Sequence, residues 1–159
     1  MCSIQDPTVF DLSIREPLDA MSLSRYLLDR IQWRERSFKP LIIPEVTPVT
    51  DSMLLNREAI LYHCSEPEQP DWNVRAWVWR FSLTLTVVGR EPDRVHRICS
   101  WLHRQISLWP YEPSTPFGKV GRIVDNPGFE IQSSGDISSS KSMIAWSSTK
   151  LIQAASPRG

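Results

Sequence analysis

The sequence predicts an α+β fold, with a mainly antiparallel sheet and two helices packed on one of its faces. Two observations predict this class: apolar and polar residues alternate over positions 77–87, and apolar residues recur at helical spacing on both sides of that stretch. Helices with one apolar stripe bury it against a sheet with one apolar face. The 159 residues suit one domain, which we place at 17–155, between an N-terminal arm (1–16) and a tail (156–159).

A first helix is predicted from Pro17 to Arg36. Proline suits the first helical position because an N–H there would have no partner within the helix. Four apolar residues in this stretch recur at the spacing of an amphipathic helix: Ala20, Leu23, Leu27 and Ile31.

The next segment is predicted to be extended and connecting, not central in a sheet, because residues 40–50 contain three prolines. A first strand is expected at Ala59–Cys64. Residues 65–73 contain two prolines and three acidic residues, which is typical of a hairpin loop.

The clearest local pattern predicts a long strand over Val74–Val88. Every odd position from 77 to 87 is large and apolar, and most positions between them are polar. A period of two over more than ten residues indicates a strand with one buried face. Gly89 ends this strand.

A second helix is predicted to follow at once, with Pro92 in its first turn and Pro110 after its end. Glu91 and Asp93 place negative charge at the positive end of the helix dipole. The apolar residues of this helix form one stripe: Val95, Ile98, Cys99, Leu102, Ile106 and Trp109.

The C-terminal part is predicted to add two or three strands, at Lys119–Val124, Phe129–Gln132 and Met143–Ala155. Residues 126–128 read Asn-Pro-Gly, a turn in which glycine can take a positive φ. Residues 133–142 are polar and rich in serine, so we expect a loop there.

The formal net charge is zero, from 18 basic and 18 acidic residues. This balance argues against a protein that binds nucleic acid through bulk basicity, and we expect no sequence-specific nucleic-acid binding. The charges are unevenly placed, since residues 41–72 carry −5 and residues 73–110 carry +4.

The three cysteines, an odd number without CxxC spacing, do not suggest a disulfide framework and favour folding in a reducing cytoplasm. The N-terminus has neither the basic start nor the apolar stretch of a secretory signal. No apolar run approaches the roughly 20 residues of a membrane helix, so we expect no membrane contact.

The sequence contains no P-loop, dinucleotide-binding, nucleophile-elbow or zincin motif. His96, Cys99 and His103 could offer zinc ligands from one helix, but Cys99 belongs to the apolar stripe and a fourth ligand is not evident. His63 and Cys64 are adjacent in a strand and so point to opposite faces. We therefore expect no metal, no cofactor and no catalytic site.

A second stripe on the predicted helix is basic and lies away from its apolar face. It contains Arg94, Arg97 and Arg104, with Trp101 nearby. The stripe could be a solvated face, or it could contact acidic groups of a neighbouring subunit or passing DNA phosphates. An exposed Trp beside Arg is a plausible interface anchor, although a second packed layer would explain it equally well.

Three stretches resemble the strand–helix core of bacteriophage tail terminator and minor tail proteins: 77–89, 90–106 and 118–129. The resemblance implies a structural virion protein without an active site, assembled in the host cytoplasm. It implies a homo-oligomeric ring, hexameric in such proteins, that caps the tail tube protein, meets the head–tail connector protein and passes DNA through its lumen. The alternatives are a connector component, a small cytoplasmic enzyme with a Cys/His site, and a monomeric module that binds an apolar ligand.

The charge blocks predict how such a ring would close. In a head-to-tail arrangement, one or more basic residues of the helix would meet acidic residues of the 41–72 block in the next subunit. Seven residues are therefore candidates for the subunit interface: Arg94, Arg97, Trp101, Arg104, Glu66, Glu68 and Asp71.

Overall fold

The structure is a computed structural model. It describes residues 17–34, 39–46, 57–69, 78–132 and 143–157. The predicted arm (1–16) and the predicted loop (133–142) lie outside the described residues. The fold is α+β, as predicted, with two helices and a mostly antiparallel six-stranded sheet. No helix in the described ranges is long and apolar enough to cross a membrane.

The elements follow the predicted order, with one additional strand near the start. In chain order they are α1 (Ala20–Asp29), β1 (Leu41–Pro44), β2 (Ala59–Cys64), β3 (Val78–Gly89), α2 (Pro92–Ser107), a 3-10 turn (Trp109–Tyr111), β4 (Lys119–Asp125), β5 (Glu130–Ile131) and β6 (Ile144–Ala155).

The sheet has the strand order β1-β2-β3-β6-β4, and β5 also pairs with β6. β1 runs parallel to β2, whereas the other described pairings are antiparallel. The long strands β3 and β6 pair along their whole length, from Val78 opposite Ala155 to Gly89 opposite Ile144. This central pair forms the platform on which α2 lies.

The first helix is shorter than predicted, because Asp19 rather than Pro17 sets its start. The Asp19 carboxylate accepts a hydrogen bond from the Ser22 backbone N–H at 3.0 Å, as an N-cap residue does. The helix ends before Arg30, and residues 31–34 are not helical. The prediction of a helix to Arg36 was therefore wrong over its last described residues.

Residues 41–44 are extended, as predicted, and form the edge strand β1. An edge position tolerates Pro44 because its missing N–H faces away from the ladder. The second helix begins at Pro92, as predicted, but ends at Ser107, so Trp109 lies in the 3-10 turn and is buried there.

One hydrophobic core joins both helices to one face of the sheet. It contains the predicted stripe of α2 and the odd-numbered apolar residues of β3 from Phe81 to Val87. The prediction of a single buried face holds only for the first half of β3, since Thr86 and Val88 are also buried. Val88 belongs to a second, smaller cluster that includes Ala59 and Ala145.

Positive φ occurs at Gly118 and not at Gly128. Gly118 has φ +134 and closes a turn with Thr115 just before β4. A Cβ at this position would collide with the backbone oxygen of Ala155, so the start of β4 can lie against β6 only with glycine here.

Candidate functional site

A concave surface lies between α2 and the segment that follows α1. We call it the basic groove. It encloses about 580 Å³, and its lining residues are Trp33, Arg34, His96, Arg97, Ile98, Ser100, Trp101 and Arg104. Three guanidinium groups and two indole rings therefore share one depression. None of the described lining residues is acidic.

Trp101 lines the groove and is held by two contacts. Its indole Nε1 donates a hydrogen bond to the Gln32 carbonyl at 3.0 Å, and the Arg34 guanidinium lies 5.0 Å from the ring centroid. Trp101 is half-buried, so it is both part of the packing between α2 and the post-α1 segment and part of the groove surface. Arg34, which was not among the candidates predicted from the sequence, is thereby placed in the site.

The predicted basic stripe divides into two parts. Arg94 is paired within the chain: its Nε lies 3.1 Å from both carboxylate oxygens of Glu58. Arg97 and Arg104 are exposed, and neither makes a salt bridge to any described residue. The acidic and basic blocks therefore do meet, through Glu58 and Arg94, but in the same subunit.

The described acidic candidates lie on a separate surface, which we call the acidic ridge (residues 65–69). The ridge runs beside the start of β3: Glu68 and Arg80 exchange two backbone hydrogen bonds, and Ser65 N–H donates to the Ser82 carbonyl. The side chains of Glu66 and Glu68 are exposed. The third acidic candidate, Asp71, lies outside the described residues.

A buried lysine lies on the opposite, sheet-facing side of α2. Lys150 of β6 is fully buried. Its Nζ is 2.9 Å from His103 Nδ1, donates a hydrogen bond to the Pro127 carbonyl and lies 5.0 Å from the centroid of the Phe129 ring. Since an ammonium has donors only, the His103 Nδ1 must accept, which requires a neutral imidazole with its proton on Nε2.

The ionisation of this cluster agrees with that arrangement. Burial lowers the pKa of Lys150 to about 8, although the negative charge of Asp125 opposes the shift. The pKa of His103 is lowered, first by burial and then by the positive charge of Lys150. A neutral His103 at physiological pH follows from both effects.

Lys150 was not among the residues predicted from the sequence, because a lysine in a strand is usually exposed. One signal could have indicated its burial: Lys150 has the same parity as Ile152 and Ala154, which are both buried on the helix side of β6.

The three metal-ligand candidates on α2 have separate environments. Cys99 is buried, His103 contacts Lys150, and the His96 ring lies 5.5 Å from the Trp146 ring. The described residues contain no group of three or more His, Cys, Asp or Glu placed to hold a metal ion.

The sequence matches no model of a known protein family, and no curated protein matches it significantly.

Proposed function

We propose that the chain is a structural virion protein that forms a ring at the end of a phage tail tube, as tail terminators do, and meets the head–tail connector. One observation carries the proposal. The long strand β3 turns within three residues into α2, and β4 and β6 complete the sheet on the far side of β3. Of these elements, β3, α2 and β4 coincide with the stretches whose sequence resembles tail terminator proteins.

The state of the thiols favours a structural role over a Cys/His enzyme. Burial raises the pKa of Cys64 to about 11 and that of Cys99 to about 12. Both thiols are therefore protonated near pH 7, whereas a nucleophilic cysteine must be a thiolate. The exposed His63 side chain and the buried Cys64 side chain lie on opposite faces of β2, so His63 is poorly placed to activate its neighbour.

Exposed apolar side chains also suit an assembled protein. Leu108 and Tyr111 lie together in the turn after α2, and Tyr111 is 84% exposed. Ile131 of β5 is 67% exposed. Contacts in a ring or on a tube would remove such surface from water.

The experiment mixes the purified chain with tail tubes that lack it and examines their ends by electron microscopy, while light scattering gives the mass of the free protein. We expect a ring on one end of each tube. A mass of one subunit at every concentration, together with bare tube ends, would refute the proposal. Binding to the isolated connector but not to tubes would favour the connector alternative.

A further inference from the structure

We infer that the basic groove of one subunit binds the acidic ridge of a second copy of this chain, in a head-to-tail contact. The inference rests on the proposed function, because it describes how copies of the chain join in a ring. It differs from the expectation based on sequence in two respects: it excludes Arg94 and includes Arg34.

The charge of the basic groove is unbalanced. Arg34, Arg97 and Arg104 place three positive charges on one concave surface without an acidic lining residue among those described. Like charges at short range repel one another, and a partner with negative charge would relieve that repulsion. Arg94 does not take part, because its charge already faces Glu58.

The acidic ridge carries two exposed carboxylates on a segment that is hydrogen-bonded to β3. Glu66 and Glu68 are both exposed, in a short segment that runs beside the start of β3. Backbone hydrogen bonds from Ser65 and Glu68 to β3 hold the segment in place. The ridge therefore presents two exposed carboxylates with little backbone entropy to lose on binding.

The side chains of the basic groove are complementary to those of the acidic ridge. Arg97 and Arg104 are seven positions apart on α2, hence two turns apart on the same side, at roughly 10 Å. The ridge offers one exposed carboxylate for each of these two guanidinium groups, and a carboxylate accepts charge-assisted hydrogen bonds from a guanidinium. Trp101 lies between the two arginines and provides an apolar floor on which the ridge residue Pro67 can pack.

The partner that fits the basic groove is a second copy of this chain. The groove belongs to α2 and the post-α1 segment, and the ridge belongs to the β2–β3 side, so the two surfaces are different patches of one chain. Contacts between different patches are heterologous and can close a ring. The zero net charge of the chain, made of a −5 block and a +4 block, fits such self-complementarity better than it fits a nucleic-acid partner.

The test uses charge reversal in the full chain. R97E/R104E reverses the groove, E66K/E68K reverses the ridge, and a quadruple variant reverses both. We expect each double variant to weaken assembly at least about tenfold, in solution and on tail tubes, and the quadruple variant to recover assembly to within about threefold of wild type. Arg122→Glu, at an exposed position on β4, is the matched control and should change little.

The outcomes separate the contact from the proposed function. If wild type caps tubes and the double variants cap them equally well, the contact is wrong and the function stands. If the double variants fail and the quadruple variant fails too although its circular dichroism spectrum is native, the pairing of groove with ridge is wrong. Loss of binding to a fluorescent dT20 oligonucleotide in R97E/R104E, with assembly unchanged, would assign the groove to nucleic acid instead. If wild type neither assembles nor caps tubes, both proposals fail.

Discussion

The positively charged groups on the two sides of helix α2 differ in burial and in their contacts. On the sheet side, Lys150 is fully buried and its ammonium contacts the Pro127 carbonyl, the His103 imidazole and the Phe129 ring. On the outer side, Arg97 and Arg104 are exposed and make no salt bridge to a described residue. Helix α2 therefore separates a buried ammonium group that has partners within the chain from exposed guanidinium groups that have no salt-bridge partner among the described residues.

The salt bridge at the start of α2 is intermediate between these cases. The side chains of Arg94 and Glu58 are 26% and 8% exposed, and Arg94 Nη2 lies 3.1 Å from Glu58 Oε1. From Lys150 through Arg94 to the outer arginines, the charged groups become steadily more exposed. We therefore expect charged groups near the sheet to contribute to folding stability and those on the outer face to contribute to association. Substitutions on the two sides should then affect different measurements, stability on one side and assembly on the other.

The largest effect on stability is expected at Lys150. We expect Lys150→Ala to reduce the free energy of unfolding by about 3 kcal/mol, because the buried stem leaves a cavity and the Pro127 carbonyl loses its donor. Urea unfolding followed by tryptophan fluorescence measures this change. Arg104→Ala, on the exposed side, should stay within about 0.5 kcal/mol of wild type.

A second variant separates the stem of Lys150 from its charge. Lys150→Met keeps most of the apolar stem and removes the ammonium, together with the free-energy cost of burying it. We expect it to recover at least half of the stability that Lys150→Ala loses. Wild-type stability in Lys150→Ala would show that the sheet side does not depend on this residue and would remove the contrast between the two sides.

A smaller loss is expected at the salt bridge. Glu58→Gln keeps the size of the side chain but removes the negative charge beside Arg94, and we expect a loss of about 2 kcal/mol in the same urea titration. Glu66→Gln is the matched control, because Glu66 is exposed on the acidic ridge. Equal losses in both variants would contradict the distinction between folding charges and association charges.

The period-two pattern was sufficient to predict β3, and the helical stripe to predict α2, since both patterns are local. The pattern could not show that Val88 and Thr86 are buried as well, because that depends on a second cluster formed with Ala59 and Ala145 from other strands. Propensity also favoured a longer first helix, but the capping hydrogen bond from Ser22 N–H to Asp19 fixes a later start.

The candidate site was predicted in part. Arg97, Trp101 and Arg104 were named from their helical spacing, and the structure brings them into one groove. The sequence pattern could not assign Arg34 to the basic groove, because Arg34 comes close to Trp101 only through the path that the chain takes after α1. Lys150 depends on His103 and Pro127, which lie 47 and 23 positions away in the sequence, so no local pattern predicts their contact.

The smallest expected effect is a dependence of stability on pH that belongs to the sheet side alone. Lys150 has a pKa of about 8 in the folded chain, against 10.5 for an ordinary lysine. Between these values the unfolded chain binds more protons than the folded chain, so the free energy of unfolding rises with pH. We expect Lys150 by itself to contribute a gain of about 1 kcal/mol from pH 8 to pH 9.

From about pH 8 upward the buried thiols act in the opposite direction. Their folded pKa values, about 11 for Cys64 and about 12 for Cys99, exceed the ordinary value of 9.0, so the folded chain binds more protons there and stability falls with pH. The contribution of Lys150 is therefore measured as the difference between wild type and Lys150→Met from pH 8 to 9. Lys150→Met should lose this contribution, so that the thiols make its stability fall in that window, whereas R97E/R104E should keep the wild-type curve. An unchanged slope in Lys150→Met would show that the ammonium is not the group that titrates between the sheet and α2.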